Sequence, residues 1–137
     1  MKAKAILDTS FLVEHFRKEN VQGLFLQLNQ YYHITFSSVV LMELLSGAYD
    51  RKERRLLEQI KRNFSVVTPT EKHWWSTGET LMKLRALKKI DPARMKGLLA
   101  DVLIAVSARD IGAALITKNA KDFQLIKEVL DFKLIAV

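Results

Sequence analysis

The chain has 137 residues, 49% of them hydrophobic and 27% charged, the composition of a folded globular protein with one full hydrophobic core and no disordered tract. Its 22 Lys and Arg against 15 Asp and Glu leave a net charge of +7, which suits contact with nucleic acid or with an acidic protein partner. The absence of cysteine excludes disulfides, thiolate catalysis and Cys-based zinc sites and fits a cytoplasmic setting; no apolar run approaches the length of a membrane span, and Asp8 interrupts the first one too early for a signal peptide.

Lys4 to Leu7 predicts a short buried strand ending at Asp8. Thr9 or Ser10 is placed to cap a helix running to about Lys18, and Leu24, Leu28 and Tyr31 lie on one face of a second helix over 21–31. His33 to Phe36 favours a strand. Ser37 or Ser38 then caps a helix that carries Glu43 and ends near Gly47.

Residues 51–63 predict a basic amphipathic helix around Leu56, Leu57 and Ile60, and Phe64 to Val67 a third strand. Thr68-Pro69-Thr70 opens a long helix through Leu81, Leu84 and Leu87, and Asp91-Pro92 reads as a turn. A buried helix over 98–111 follows, then Gly112, a strand over 114–117, a helix near 122–130 and a last strand over 133–137. Short apolar strands alternating with helices predict one α/β domain over 1–137, with a mostly parallel sheet of four to five strands between two helical layers. Such folds place ligands beyond the carboxyl ends of the strands.

Four acids fall where that architecture delivers them to one crevice. Asp8 follows the first strand, Glu43 lies on the helix after the second, Asp101 lies in the helix before the fourth, and Asp122 follows the fourth. Asp8 could serve as a helix N-cap, but Thr9 and Ser10 could do so equally well. Glu43 and Asp101 each interrupt an otherwise apolar helix, where an unpaired carboxylate would cost several kcal/mol, about 3–5 when a partner is missing. Gathered carboxylates resist ionising beside one another. A hard divalent cation, Mg²⁺ or Mn²⁺, resolves that conflict with all-oxygen ligands. On a basic chain such a cluster points to phosphodiester chemistry. Thr117 could offer a hydroxyl to a carboxylate, and Asn119 could cap the last helix.

Other chemistries find less support. His15, His33 and His73 show no metal-ligand spacing, and the aromatic neighbours of the last two suggest packing or interface roles. A response-regulator receiver needs an acid at the end of the third strand, where Phe64-Ser-Val-Val has none. A haloacid-dehalogenase-type phosphatase needs a second Asp two residues after the first, where Ser10 stands. Phe11, Phe16, Phe25 and Tyr31 exceed what a small core requires and predict interfaces.

Asp8-Thr9-Ser10 after a strand, Glu43-Leu44 followed by Gly47, Asp101-Val-Leu-Ile-Ala and Thr117-Lys-Asn119-Ala-Lys-Asp122 together resemble the four successive motifs of PIN-domain ribonucleases. The size is similar to that of VapC-like toxins of toxin–antitoxin pairs. The resemblance implies a PIN fold, Mg²⁺- or Mn²⁺-dependent endoribonuclease activity on RNA, a homodimer and a cognate antitoxin. It implies Asp8, Glu43, Asp101 and Asp122 as catalytic and metal-binding acids, with Thr9, Thr117 and Asn119 in support. The alternative is a PIN-like module that binds nucleic acid or protein without catalysis. Trp74-Trp75 belongs to no motif of the family.

Overall fold

The computed structural model describes residues 2–17 and 21–137. Five strands and seven helices follow in the order β1 (Ala3–Leu7), α1 (Thr9–Arg17), α2 (Val21–Tyr31), β2 (Tyr32–Ser37), α3 (Ser38–Ser46), α4 (Arg51–Asn63), β3 (Ser65–Val67), α5 (Glu71–Lys88), α6 (Pro92–Asp110), β4 (Ala114–Thr117), α7 (Ala120–Lys127) and β5 (Lys133–Ala136). The predicted α/β class holds, and every pairing in the sheet is parallel. The predicted end of the first helix at Lys18 lies outside the described residues.

Strand order is β3-β2-β1-β4-β5. The chain builds outward from β1 through β2 to β3, then returns to place β4 on the other side of β1. That reversal opens a crevice at the carboxyl ends of β1 and β4, where parallel α/β sheets bind ligands. The register pairs Leu7 with Ile116, so Asp8 and Thr117 emerge side by side. Ala5, Ile6 and Leu7 are buried, as is all of β4, which is what a sheet covered by helices on both faces requires.

Local chemistry sets the element boundaries. Ser37 caps α3 by accepting from the Val39 amide, and Asp50 caps α4 by accepting from that of Glu53. Asp91-Pro92, read from sequence as a turn before a helix at Leu98, is the start of α6 itself. Asp91 accepts from the Arg94 amide and Pro92 occupies the first turn, where its missing N–H costs nothing. The helix therefore begins well before the buried stretch and extends beyond it toward solvent.

The apolar core gathers β1, β4 and the buried face of α6, where Val102, Leu103, Ile104, Ala105 and Ala108 are almost wholly enclosed. Phe25, Phe36 and Phe64 stack edge to face within it, at 5.1–5.7 Å between ring centres. Phe11 and Phe25, expected at interfaces, are core residues, and Phe16 packs against the core; Tyr31 is exposed as expected. The core thus uses more aromatic volume than the sequence suggested.

Candidate active site

The charges of Asp8, Glu43 and Asp122 all reach Asp101 at the crevice. Asp8 is carried there by the end of β1, and its amide donates to the Ile116 carbonyl at 2.9 Å, extending the sheet by one bond past the strand. Its side chain is buried. Oδ2 accepts from the Thr117 hydroxyl at 2.8 Å and from the Ser10 hydroxyl at 2.7 Å. Among the described residues no donor reaches Oδ1, so the carboxylate is fixed by one oxygen and presents the other.

Glu43 comes from the middle of α3, where the Thr9 hydroxyl at the start of α1 donates to Oε1 at 2.8 Å. Burial pushes its carboxyl above the ordinary range; the Thr9 bond works against that rise and the Asp8 charge adds to it. Asp101 sits on α6, half-buried, and receives no hydrogen bond among the described residues. Burial, followed by the charges of Asp8, Glu43 and Asp122, pushes its carboxyl up to about 7. All three other acids therefore act on Asp101, which is the electrostatic signature of a shared site.

Asp122, in the first turn of α7, is bound on both oxygens. Arg94 Nη2 donates to Oδ1 at 3.3 Å and Asn119 Nδ2 donates to Oδ2 at 3.1 Å. Asn119 is itself positioned through its amide, which donates to the Thr117 hydroxyl oxygen at 2.9 Å. A chain of hydroxyls and amides thus links Asp8 to Asp122 through Thr117 and Asn119.

The donors gathered here are all oxygen. Asp8 and Glu43 each have an oxygen that takes no bond from the described residues, and Asp101 is a crowded carboxylate without a compensating donor. A hard cation would relieve each of these features. Among the described residues, no three His, Asp or Glu side chains stand close enough together to hold a metal ion as they are placed. The residues fit Mg²⁺ or Mn²⁺ in chemistry and charge, while Asp122 differs from the other three in having both oxygens engaged.

Of the seven residues that the sequence singled out here, the structure joins Asp8, Thr117, Asn119 and Asp122 by hydrogen bonds and Thr9 to Glu43 by another, and it couples Asp101 to the other acids through charge alone. It adds two. Ser10 donates to Asp8 and accepts from the Lys118 amide at 3.2 Å; its position directly after Asp8-Thr9 was the available signal. Arg94 pairs with Asp122, and its spacing of seven residues before Asp101 puts both on one helical face.

His33 and His73 lie elsewhere. His33 pairs in register with Lys4 at the amino ends of their strands, away from Asp8. His73 accepts the Thr70 amide at Nδ1 (2.9 Å), so its proton sits on Nε2, which donates to Asp110 at 2.9 Å. That hydrogen bond holds Asp110 below its usual range. The pair braces α5 to the far end of α6.

A family model described as the PIN domain matches residues 5–129. Solved chains with a similar fold come from DNA-bound VapBC of Salmonella typhimurium, with a TM-score of 0.73 at 20% identity over 98% of both chains. VapBC2 from Rickettsia felis, bound to a DNA fragment from its promoter, is similar with a TM-score of 0.71 at 23% identity, over 97% of this chain and 98% of that one. VapBC-1 of nontypeable Haemophilus influenzae is similar with a TM-score of 0.71 at 21% identity over 96% of both. At these identities the likeness is one of fold. No curated protein matches in sequence.

Proposed function

The chain belongs to the PIN-domain family, and from that premise we propose that it is a divalent-metal-dependent endoribonuclease acting as the toxin of a toxin–antitoxin pair. The observation that carries this reading is Asp8, held through one oxygen by Thr117 and Ser10 at the carboxyl end of β1 and presenting the other, beside Glu43 and Asp101, whose carboxyls are pushed up by burial and by the neighbouring acids.

Asp8, Glu43 and Asp101 would hold the ion. Bound there, Mg²⁺ or Mn²⁺ supplies a Lewis acid and a water of lowered pKa for phosphodiester hydrolysis. The chain's own residues supply orientation. Thr117 and Ser10 lock one oxygen of Asp8, and Thr9 turns Glu43 toward it. Asn119 holds Asp122 at the rim, where its charge adds to the field on Asp101 and where it can orient a water beside the attacked phosphate.

Partnership rests on surfaces away from the acids. Phe25, Leu26, Leu56, Ile60 and Phe64 line a groove of about 430 Å³ between α2 and α4, with Asn29, Gln59 and Asn63 as its polar lining. An antitoxin helix with apolar anchors matches that chemistry. Met42, Leu45 and Tyr49 stand exposed on and just after α3, an apolar patch that suits a second copy of the chain in a homodimer.

The test is incubation of the purified, inhibitor-free chain with single-stranded RNA in Mg²⁺, Mn²⁺ or EDTA. Cleavage with either metal and none in EDTA is the expected result. RNA bound with no cleavage in any metal would replace the enzyme by a binding module.

A further inference from the structure

Arg94 joins the site from a direction that the four acids do not account for. It lies seven residues before Asp101 on α6, close to two full turns, so the two side chains share a face about 10 Å apart along the axis. Its backbone is fixed, because its amide is the donor to the Asp91 cap at 2.9 Å. Its guanidinium uses Nη2 on Asp122 at 3.3 Å, and both side chains are partly exposed, Arg94 at 44% and Asp122 at 30%. A guanidinium has five N–H donors, and a pair this open to water costs little to rearrange.

Between Arg94 and Asp101 on the helix lies Gly97, three residues after one and four before the other. Gly97 is exposed, and a Cβ built there would meet nothing within 4 Å. Glycine inside a helix lowers helix stability relative to alanine, and no packing contact here calls for it. It leaves the helix surface bare between a cation and the acid cluster, so that a polyanion could lie close to the backbone there.

We propose that Arg94 and the open step at Gly97 form a subsite for one phosphate of the RNA backbone next to the cleaved bond. This rests on the nuclease reading above and adds to it a named substrate contact. It also gives Asp122 a second role. With Asn119 behind it, Asp122 parks Arg94 over the crevice until RNA arrives. On binding, the remaining N–H groups of Arg94 engage the two non-bridging oxygens of the phosphate, a geometry that a guanidinium matches and an ammonium does not.

The test compares wild type with Arg94→Ala, Arg94→Lys and Gly97→Leu, with Arg54→Ala on α4 as the surface-charge control. Cleavage of a short single-stranded RNA is followed with Mg²⁺ across a range of NaCl. Binding of a fluorescein-labelled oligouridylate is followed in EDTA by anisotropy. Arg94→Ala should raise KM and weaken binding about tenfold with kcat within about threefold, and should reduce the slope of log affinity against log salt by about 0.7, the value for one phosphate contact on a single strand. Arg94→Lys should keep the slope and recover part of the affinity. Gly97→Leu should raise KM without lowering Tm, and Arg54→Ala should leave KM unchanged. A wild type that cleaves RNA while Arg94→Ala keeps its KM and salt slope would overturn the subsite and leave the nuclease intact. A loss confined to kcat with an unaltered slope would also overturn it, reducing Arg94 to a support for Asp122. A wild type that neither binds nor cleaves RNA would fail the nuclease reading itself and the subsite with it.

Discussion

Thr117 Oγ1 donates to Asp8 Oδ2 at 2.8 Å, joining residues 109 apart in sequence across the seam between β1 and β4. The bond exists because the register sets Leu7 opposite Ile116, so the next residue of each strand must emerge at the same height. Both side chains are buried. The same hydroxyl oxygen accepts the Asn119 amide, so one side chain connects the central acid to the loop that carries Asp122.

Replacing Thr117 by Val should therefore act on structure and site together. It leaves the Asn119 amide without its acceptor and Asp8 with only Ser10, at a cost of about 1–3 kcal/mol by chemical denaturation. Thr117→Ser should recover most of that loss. Equal melts for Val and wild type would mean that the seam is held by the backbone alone.

Asp101→Asn should stabilise the metal-free chain at pH 8 and change it little at pH 5. The carboxyl of Asp101 is raised from 3.8 to about 7, so at pH 8 the folded state carries a charge that burial and three acids oppose, and the amide removes it. Thermal melts in EDTA at the two pH values check this. A lower Tm for the variant at pH 8 would contradict it.

The same shift fixes the sign of the pH dependence. A group raised in the folded state keeps its proton longer there than in the unfolded chain, so metal-free stability should fall as pH rises from about 4 to about 7. An ion held by Asp101 must displace that proton. Mg²⁺ or Mn²⁺ should accordingly raise Tm more at pH 8 than at pH 5.5. Calorimetric titration should detect proton release at the lower pH and almost none at the higher. A metal effect on Tm that is the same at both pH values would contradict the assignment of Asp101 as a ligand.

A fourth prediction concerns the groove between α2 and α4. Leu56→Asp places a charge among Phe25, Ile60 and Phe64, so it should abolish capture of an antitoxin encoded beside this gene while leaving RNA cleavage intact. Co-purification followed by an activity assay separates the two. Retained capture would move the partner to another surface.

Much of this is legible in the sequence because the fold is written in short apolar strands ending at polar residues. Glu43 and Asp101 stand out as acids in apolar helices, and burial with mutual repulsion is what they show. Position at the carboxyl end of a strand is enough to place Asp8 and Thr117. Ser10 and Arg94 are harder to see, since a serine after a strand reads as a cap and an arginine in a basic segment as a solvated charge. The start of α6 is hidden for a related reason: Asp-Pro opens turns and helices alike, and only the Arg94 amide bonded to Asp91 tells them apart. Phe11 and Phe25 resemble interface residues in sequence because a residue count does not reveal how much ring volume a five-stranded sheet encloses.

Separate acids acting as one metal-dependent, RNA-cleaving centre are tested most directly by the cleavage rate of single-stranded RNA against Mn²⁺ concentration. The rate is compared for wild type, Asp8→Asn, Glu43→Gln and Asp101→Asn, each checked for folding by its melt in EDTA. Wild type should be inactive in EDTA, and every variant should fold yet lose orders of magnitude in rate at saturating Mn²⁺. Cleavage by the wild type that persists in EDTA, or a folded Asp101→Asn that cleaves at the wild-type rate, would contradict a shared metal centre.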